Sequence, residues 1–371
     1  MNACLPPARR ARLSMRPLLY FVSALVIALL FIAGVAVNKA TIAAHYLASL
    51  RERGGTAFVH SGRVNVDTAP PKSWTTRIAS WLLERELRGK VIEIELPEGS
   101  DAVDAKQLQS FSDLSWLRVH SRRFGEHAFY DLPPLPRLTK LECTSMPLET
   151  GWLKSVHAPT LEELSVRDTS IGDDFLEVLP VFPQLKYVDV SHTRIGSKSF
   201  SALLRHSSMD TLIAEDISNI NSASLAPVVN IGEVRVRDLR VAGREFNDEW
   251  MECFMSCESV ARLTVNRVTL GPRSCEALKR NGTLRYLSIS SVRDSHAHVL
   301  LSVAAHKTLE EVAISNIPIQ DAELERLLRM PQLLRLRLVD AGITTDIEDR
   351  VRARLDEREY FRHSLVTVDL R

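Results

Sequence analysis

The 371-residue sequence predicts an α/β fold, a solenoid of stacked strand–turn–helix repeats. Three observations predict it. The stretch LEELSVRDTSIGDDFLEVL, Leu161 to Leu179, is followed by LKYVDVSHTRIGSKSFSAL, which begins 24 residues after the first, at Leu185. Apolar residues recur as L-x-x-L-x-L, with first positions at Val91, Leu114, Leu138, Leu161, Leu185, Met209, Ile231, Val260, Leu284, Leu309, Leu333 and Leu365. The intervals run from 22 to 25 residues, apart from 29 after Ile231 and 32 before Leu365. That period and that pattern are the signature of leucine-rich repeats, which occupy about 20–29 residues each. The chain also exceeds the ~250–300 residues at which a single compact core stops growing, so a stack of about 12 repeats is a natural way to use its length.

The elements follow in order. Residues 1–16 form a tail with Arg9, Arg10, Arg12 and Arg16. Residues 17–37, PLLYFVSALVIALLFIAGVAV, carry no charge over 21 positions, enough for a helix to cross a hydrocarbon core of about 30 Å. The basic tail before this run predicts a cytoplasmic N-terminus and an exported remainder, so the lipid bilayer is one expected partner. A leader cleaved near Gly34-Val35-Ala36 is the alternative, and a start at Met15 would remove three of the four arginines. Signal peptides usually have shorter apolar regions, about 7–15 residues, which favours a retained anchor. Residues 38–88 predict a juxtamembrane helix ending at Gly54-Gly55, a hairpin around Ser61-Gly62, and a capping helix opened by Ser73. The hairpin and that helix are expected to cover the open end of the stack.

From residue 89 to 371 the repeats take over. Alternation within the motif makes a short strand with one buried face. Helices are expected at segments such as DDFLEVL, SKSFSALL, SCEALKR and DAELERLL. One repeat cannot bury its apolar face alone, so neighbours stack with their strands lining the concave side. The turn position where such repeats commonly place Asn holds Thr169 and Thr193 in two repeats and Arg122, Met146, Val268, Ile317 and Ala341 elsewhere, so the backbone there needs other partners.

The Arg-rich start, single apolar span, helix ending in Gly-Gly, hairpin, and repeats such as VDVSHTRIGSKSFSAL resemble the membrane-anchored leucine-rich repeat proteins of planctomycete bacteria. The resemblance implies a protein-interaction scaffold with no catalytic residues.

Chemistry is sparse. A net charge of +1 gives no field to draw nucleic acid. There is no nucleotide-binding glycine loop, nucleophile elbow or zinc-protease motif, and no cofactor is expected. His296-Ala-His298 beside Asp294 is an incomplete ligand set that reads as a turn, leaving a metal-dependent hydrolase as a remote alternative. Cys253 and Cys257, four apart, read as small hydrophobes on one helix face. Asn281-Gly-Thr283 reads as the turn before a strand.

The concave face remains, formed by the third, fifth and seventh motif positions. Carboxylates and cations balance over it. The candidate contacts with a protein or peptide partner are Trp116 with Arg118, Tyr187, Arg235 and Arg237 with Arg262, and Tyr286, because Trp, Tyr and Arg are enriched at interface hot spots. The long interval after Ile231 contains VAGREFNDEWMECFMSC. It predicts either a widened turn that offers Phe246 and Trp250 beside the arginines or a bulge on the convex side. A structural role in the cell envelope through lateral contacts is the alternative function.

Overall fold

The computed structural model describes residues 45–50, 52–54, 56–59, 62–63, 91–96, 100, 102–111, 113–120, 126–220, 234–292, 296–342 and 367–370. The apolar run at 17–37 and the capping helix expected from Ser73 lie outside these residues. Among the described residues no helix is long and apolar enough to cross a membrane.

The strands are β1 (Thr56–Val59), β2 (Gly62–Arg63), β3 (Val91–Leu96), β4 (Trp116–Val119), β5 (Lys140–Cys143), β6 (Glu163–Ser165), β7 (Tyr187–Asp189), β8 (Thr211–Glu215), β9 (Asp238–Ala242), β10 (Arg262–Asn266), β11 (Tyr286–Ser290), β12 (Glu311–Ser315), β13 (Arg335–Val339) and β14 (Thr367–Leu370). They form one 14-stranded sheet. From β3 to β14 each strand runs parallel to the next in sequence, and the register never slips: Glu93 pairs with Trp116, Trp116 with Lys140, and so on to Arg335 with Thr367. At the other edge β1 lies antiparallel between β2 and β3. The chain is an α/β leucine-rich repeat solenoid.

Alternation drives this. In β10 and β11, Leu263, Val265, Leu287 and Ile289 are fully buried, while Arg262, Thr264, Tyr286 and Ser288 face the concave side. The convex side changes along the stack. It opens with short α-helices at Ala102–Gln107 and Glu126–Tyr130, then passes through 3₁₀ turns at Thr150–Ser155, Asp173–Glu177 and Leu179–Val181, where DDFLEVL was expected to form a helix. It continues with α-helices at Ser197–Arg205, Asp248–Ser256, Pro272–Arg280, His296–Ala304 and Asp321–Leu328. Tyr46 and Leu50, on the helix at 45–50, join the common core, with the Tyr46 ring 6.3 Å from Phe111.

The turn that lacks Asn is solved by backbone. The residue two places after the last motif position is left-handed in repeat after repeat: Ser145, Asp168, His192, Asp216, Arg267, Ser291, Asn316 and Asp340 have φ between 49° and 57°, and Gly243 has φ 124°. From Ser145 to Asn316 each donates its N–H along the stack to a carbonyl of the next repeat. Asp168 donates to the Ser191 carbonyl at 2.9 Å, His192 to Glu215 at 2.7 Å and Asn316 to Val339 at 2.9 Å. Thr169 and Thr193 add hydroxyl bonds to Val166 and Val190 at 2.7 and 2.6 Å. Short polar residues tolerate this conformation best, which accounts for the Asp, Asn and Ser at most of these places.

Two glycines at the starts of convex helices, Gly196 after Ile195 and Gly271 after Leu270, make room for a neighbour. A Cβ on Gly196 would lie 2.9 Å from Asp173 Cγ, and one on Gly271 would lie 2.6 Å from Asp248 Cγ. Those carboxylates cap the next repeat's helix. Asp173 accepts from Ser199 N at 2.9 Å, and Asp248 accepts from Gly271 N, Ser274 N and Arg273 N at 2.8, 2.9 and 3.2 Å. Each cap satisfies amides that the helix itself leaves unbonded.

One strand is not where the apolar pattern placed it. The motif expected at Ile231 falls five residues later, on Val236, Leu239 and Val241. Val236 belongs to both patterns, so the sequence satisfies either register. The 24-residue interval from Val236 to Val260 is an ordinary repeat, and the surplus lies between Met209 and Val236, partly in residues outside those described. Phe246 and Trp250 are therefore not on an insertion. Both are fully buried, in a cluster with Phe200 and Phe254 whose centroids stand 5.5 to 6.2 Å apart.

Candidate binding face

The concave rows bring charged side chains from successive strands within reach, because parallel strands lie about 4.8 Å apart. On β3 to β6 they form a dense network. Arg118 donates to Glu142 at 2.6 Å and stands 3.9 Å from Glu95. Lys140 bridges Glu142 at 2.9 Å and Glu163 at 3.2 Å. His120 reaches Thr144 at 2.6 Å. Burial pushes the Glu142 carboxyl up, but hydrogen bonds from Arg118 and Lys140 outweigh it and hold the group below its usual range. Glu93 goes the other way: burial raises it, and Glu95 and Glu142 add to the rise against Arg118 and Lys140. Carboxylates therefore outnumber cations here.

Trp116 sits at the centre of that network. Arg118 lies 4.6 Å and Lys140 4.3 Å from its ring centroid, so the indole already carries two cations of its own chain. Its indole N–H is buried without an acceptor among the described residues. Trp116 and Arg118, expected to meet a partner together, are in contact with each other, with Lys140 over the indole and Glu142 on the guanidinium.

A second cluster lies on β9 to β11. Arg240 donates to both oxygens of Asp238, at 3.3 and 3.0 Å, and Arg262 stands 3.8 Å from the same carboxylate. The Arg262 guanidinium covers the Tyr286 ring at 4.3 Å. Such a contact is worth about 0.5–1 kcal/mol at an exposed site. Burial and Asp189 push the Tyr187 phenol up, while Arg240 and Lys140 pull it down, so Arg240 links the two tyrosines electrostatically.

The register correction changes which arginines belong here. Arg235 and Arg237 precede β9 and are not on its concave positions; Asp238 and Arg240 are. Arg237 pairs across 3.7 Å with Asp210, both largely exposed, a geometry that contributes little. Arg262, Tyr187 and Tyr286 occupy the third positions assigned to them. Arg240 was missed, although counting 24 residues back from Thr264 lands on it.

Along the rim, where the strands give way to the left-handed turns, Arg167, His192, Glu215, Asp216 and Arg267 form another network. Arg167 approaches His192 at 3.2 Å and Glu215 at 3.7 Å, and Arg267 pairs with Asp216. It balances its own charge.

Elsewhere the polar groups are structural. A groove between Asp248–Ser256 and Pro272–Arg280 is lined by Arg273, Glu276 and Arg280, whose charges are paired, Arg280 with Glu276 at 3.2 Å along one helix and Arg273 with Glu249 at 3.2 Å between the two. Cys257 donates to the Cys253 carbonyl at 3.1 Å, and the contact with Cys253 together with burial drives its thiol far up, away from thiolate reactivity. His296 opens the helix His296–Ala304, and no group of three or more metal-ligating side chains occurs among the described residues.

No family model matches the chain, and no curated protein does. Among solved structures the chain is similar to an internalin from Listeria monocytogenes, at 12% identity and a TM-score of 0.43, over 78% of this chain and 84% of that one.

Proposed function

We propose that this chain is a membrane-anchored, non-catalytic recognition protein that binds a protein or peptide partner on its concave face. The observation that carries the proposal is the arrangement on β9 to β11. Two guanidiniums share the single carboxylate of Asp238, and one of them is stacked on Tyr286. This leaves a surplus positive charge beside rigid aromatic area, the combination enriched at interface hot spots. The anchor belongs to the proposal through residues 17–37, whose 21 uncharged positions suit a bilayer span with the repeats outside the cytoplasm.

Site-specific photo-cross-linking in the source cells tests it. A cross-linker at Thr264, on the Arg262 strand and paired with Arg240, should capture a discrete partner. A cross-linker at Lys279 on the convex helix should not. Capture that depends on Arg240 and Arg262 supports concave recognition. Equal capture from both positions, or capture only from the convex side, refutes it. A reporter active only outside the cytoplasm, fused after Arg371, checks the orientation; an inactive fusion removes the anchor from the proposal.

A further inference from the structure

The concave face is balanced only on average. On β3 to β8 its third, fifth and seventh positions carry Glu93, Glu95, Glu142, Glu163, Asp189 and Glu215 against Arg118, Lys140 and Arg167, three more carboxylates than cations. On β9 to β13 they carry Arg240, Arg262, Arg335 and Arg337 against Asp238 and Glu311, two more cations than carboxylates. The change of sign falls between β8 and β9, where Thr211 and the buried Ile213 are the uncharged residues.

Geometry decides whether a partner feels the average or the two halves. The network on β4 and β5 is five strand spacings from the cluster on β9 and β10, about 24 Å along the sheet. That is about three times the screening length of ~8 Å at physiological ionic strength. An approaching chain therefore meets two separate fields of opposite sign.

We propose that the concave face is an oriented docking surface for an extended protein segment that carries a basic group and an acidic group about seven residues apart. The acidic group sits over Arg240 and Arg262; the basic group sits over Glu93, Glu95 and Glu163. The spacing follows from about 3.4 Å per residue in an extended chain spanning about 24 Å. The surplus is real at each end. Arg240 and Arg262 have one carboxylate between them, and around Trp116 the cations Arg118 and Lys140 meet Glu95, Glu142 and Glu163 with Glu93 close by. The inference rests on the concave-recognition proposal and adds the partner's charge order to it.

The test measures fluorescence anisotropy of labelled peptides on the full-length chain at about 50 mM salt, where the fields reach further. One probe has two lysines and two glutamates at opposite ends of about seven neutral residues. A second has the same composition with the charges interleaved at its centre. A third is uncharged. The separated probe should bind about tenfold more tightly than the interleaved one, the sum of several exposed pairs. Arg240→Glu with Arg262→Glu should abolish that preference, while Arg273→Glu with Arg280→Glu on the convex helix should leave it. Equal binding of the probes, no binding of any, or insensitivity to the concave reversal overturns the charge order. If cross-linking still finds a partner on the concave face, the charge order alone falls; if it finds none there, both proposals fall.

Discussion

His306 should make this protein measurably acid-sensitive. It stands three residues before its strand motif, where other repeats place Leu135, Phe182 and Met330, and it is only 2% exposed. Thr308 N donates to its Nδ1 at 3.2 Å, which favours the neutral ring, and its Nε2 is buried without a partner among the described residues. Burial, followed by the nearby Arg285 cation, lowers its pKa from 6.5 to about 4. The unfolded chain takes up a proton near pH 6.5 and the native one does not, so stability is complete above 6.5 and declines as pH falls towards 4. At about 1.36 kcal/mol per pH unit, the loss is about 2 kcal/mol by pH 5 and about 3 kcal/mol at its limit. His306→Met keeps an apolar side chain of the kind found at Met330 and removes the titration. Urea unfolding of both proteins at pH 7.5 and pH 5 should show the wild type losing about 2 kcal/mol more than the variant between those conditions. The same loss in both, or a His306 proton resonance titrating near 6.5, would refute this account of the buried ring.

Three further outcomes follow from the packing. Gly271→Ala should cost about 1–3 kcal/mol in urea unfolding by forcing Asp248 off its cap, whereas Gly282→Ala, with no atom within 4 Å of the added methyl, should change stability by less than about 0.5 kcal/mol. Asp248→Asn should destabilise at pH 7 and converge on the wild type as pH falls through and below 3.8. Burial raises this carboxyl, but bonds from Ser274, Gly271 and Arg273 outweigh it and leave it below that ordinary value, so its contribution exists only while it is ionised. Phe254→Ala, which empties a site between Phe200, Phe246 and Trp250, should cost about 3–5 kcal/mol, seen as a lower urea midpoint.

Much of the solenoid was legible because its signal is periodic and redundant. Eleven of the twelve motifs have their third position on a strand of the parallel stack, and any one error is bracketed by its neighbours. The failure came where apolar residues overlap. Ile231, Val234 and Val236 satisfy the apolar pattern as well as Val236, Leu239 and Val241 do; the regular 24-residue interval to Val260 favours the second set, and pairing with Thr211 and Arg262 fixes it. That slip hid Arg240 and made Phe246 and Trp250 look like insertion residues when they fill the core. The reason for Gly196 and Gly271 was also out of reach, since the atoms that exclude a side chain there belong to Asp173 and Asp248 of the preceding repeats. The two cations on Trp116 likewise come from different strands, and one of them is 24 residues away in sequence.

The helix caps give the stack a direction. Thr150 bonds Gly172 N, Asp173 bonds Ser199 N, and Asp248 bonds three amides around Gly271, so in each case the earlier repeat completes the start of the later helix. A chain emerging from the ribosome N-terminus first presents these three helix starts to capping groups already in place, whereas Asp248–Ser256 and Asp321–Leu328 are capped within their own repeats by Asn247 and by Gln320 with Glu323. Where the cap crosses between repeats, assembly can advance as a ratchet, and losing the earlier repeat would leave its successor uncapped while its predecessor kept its own cap.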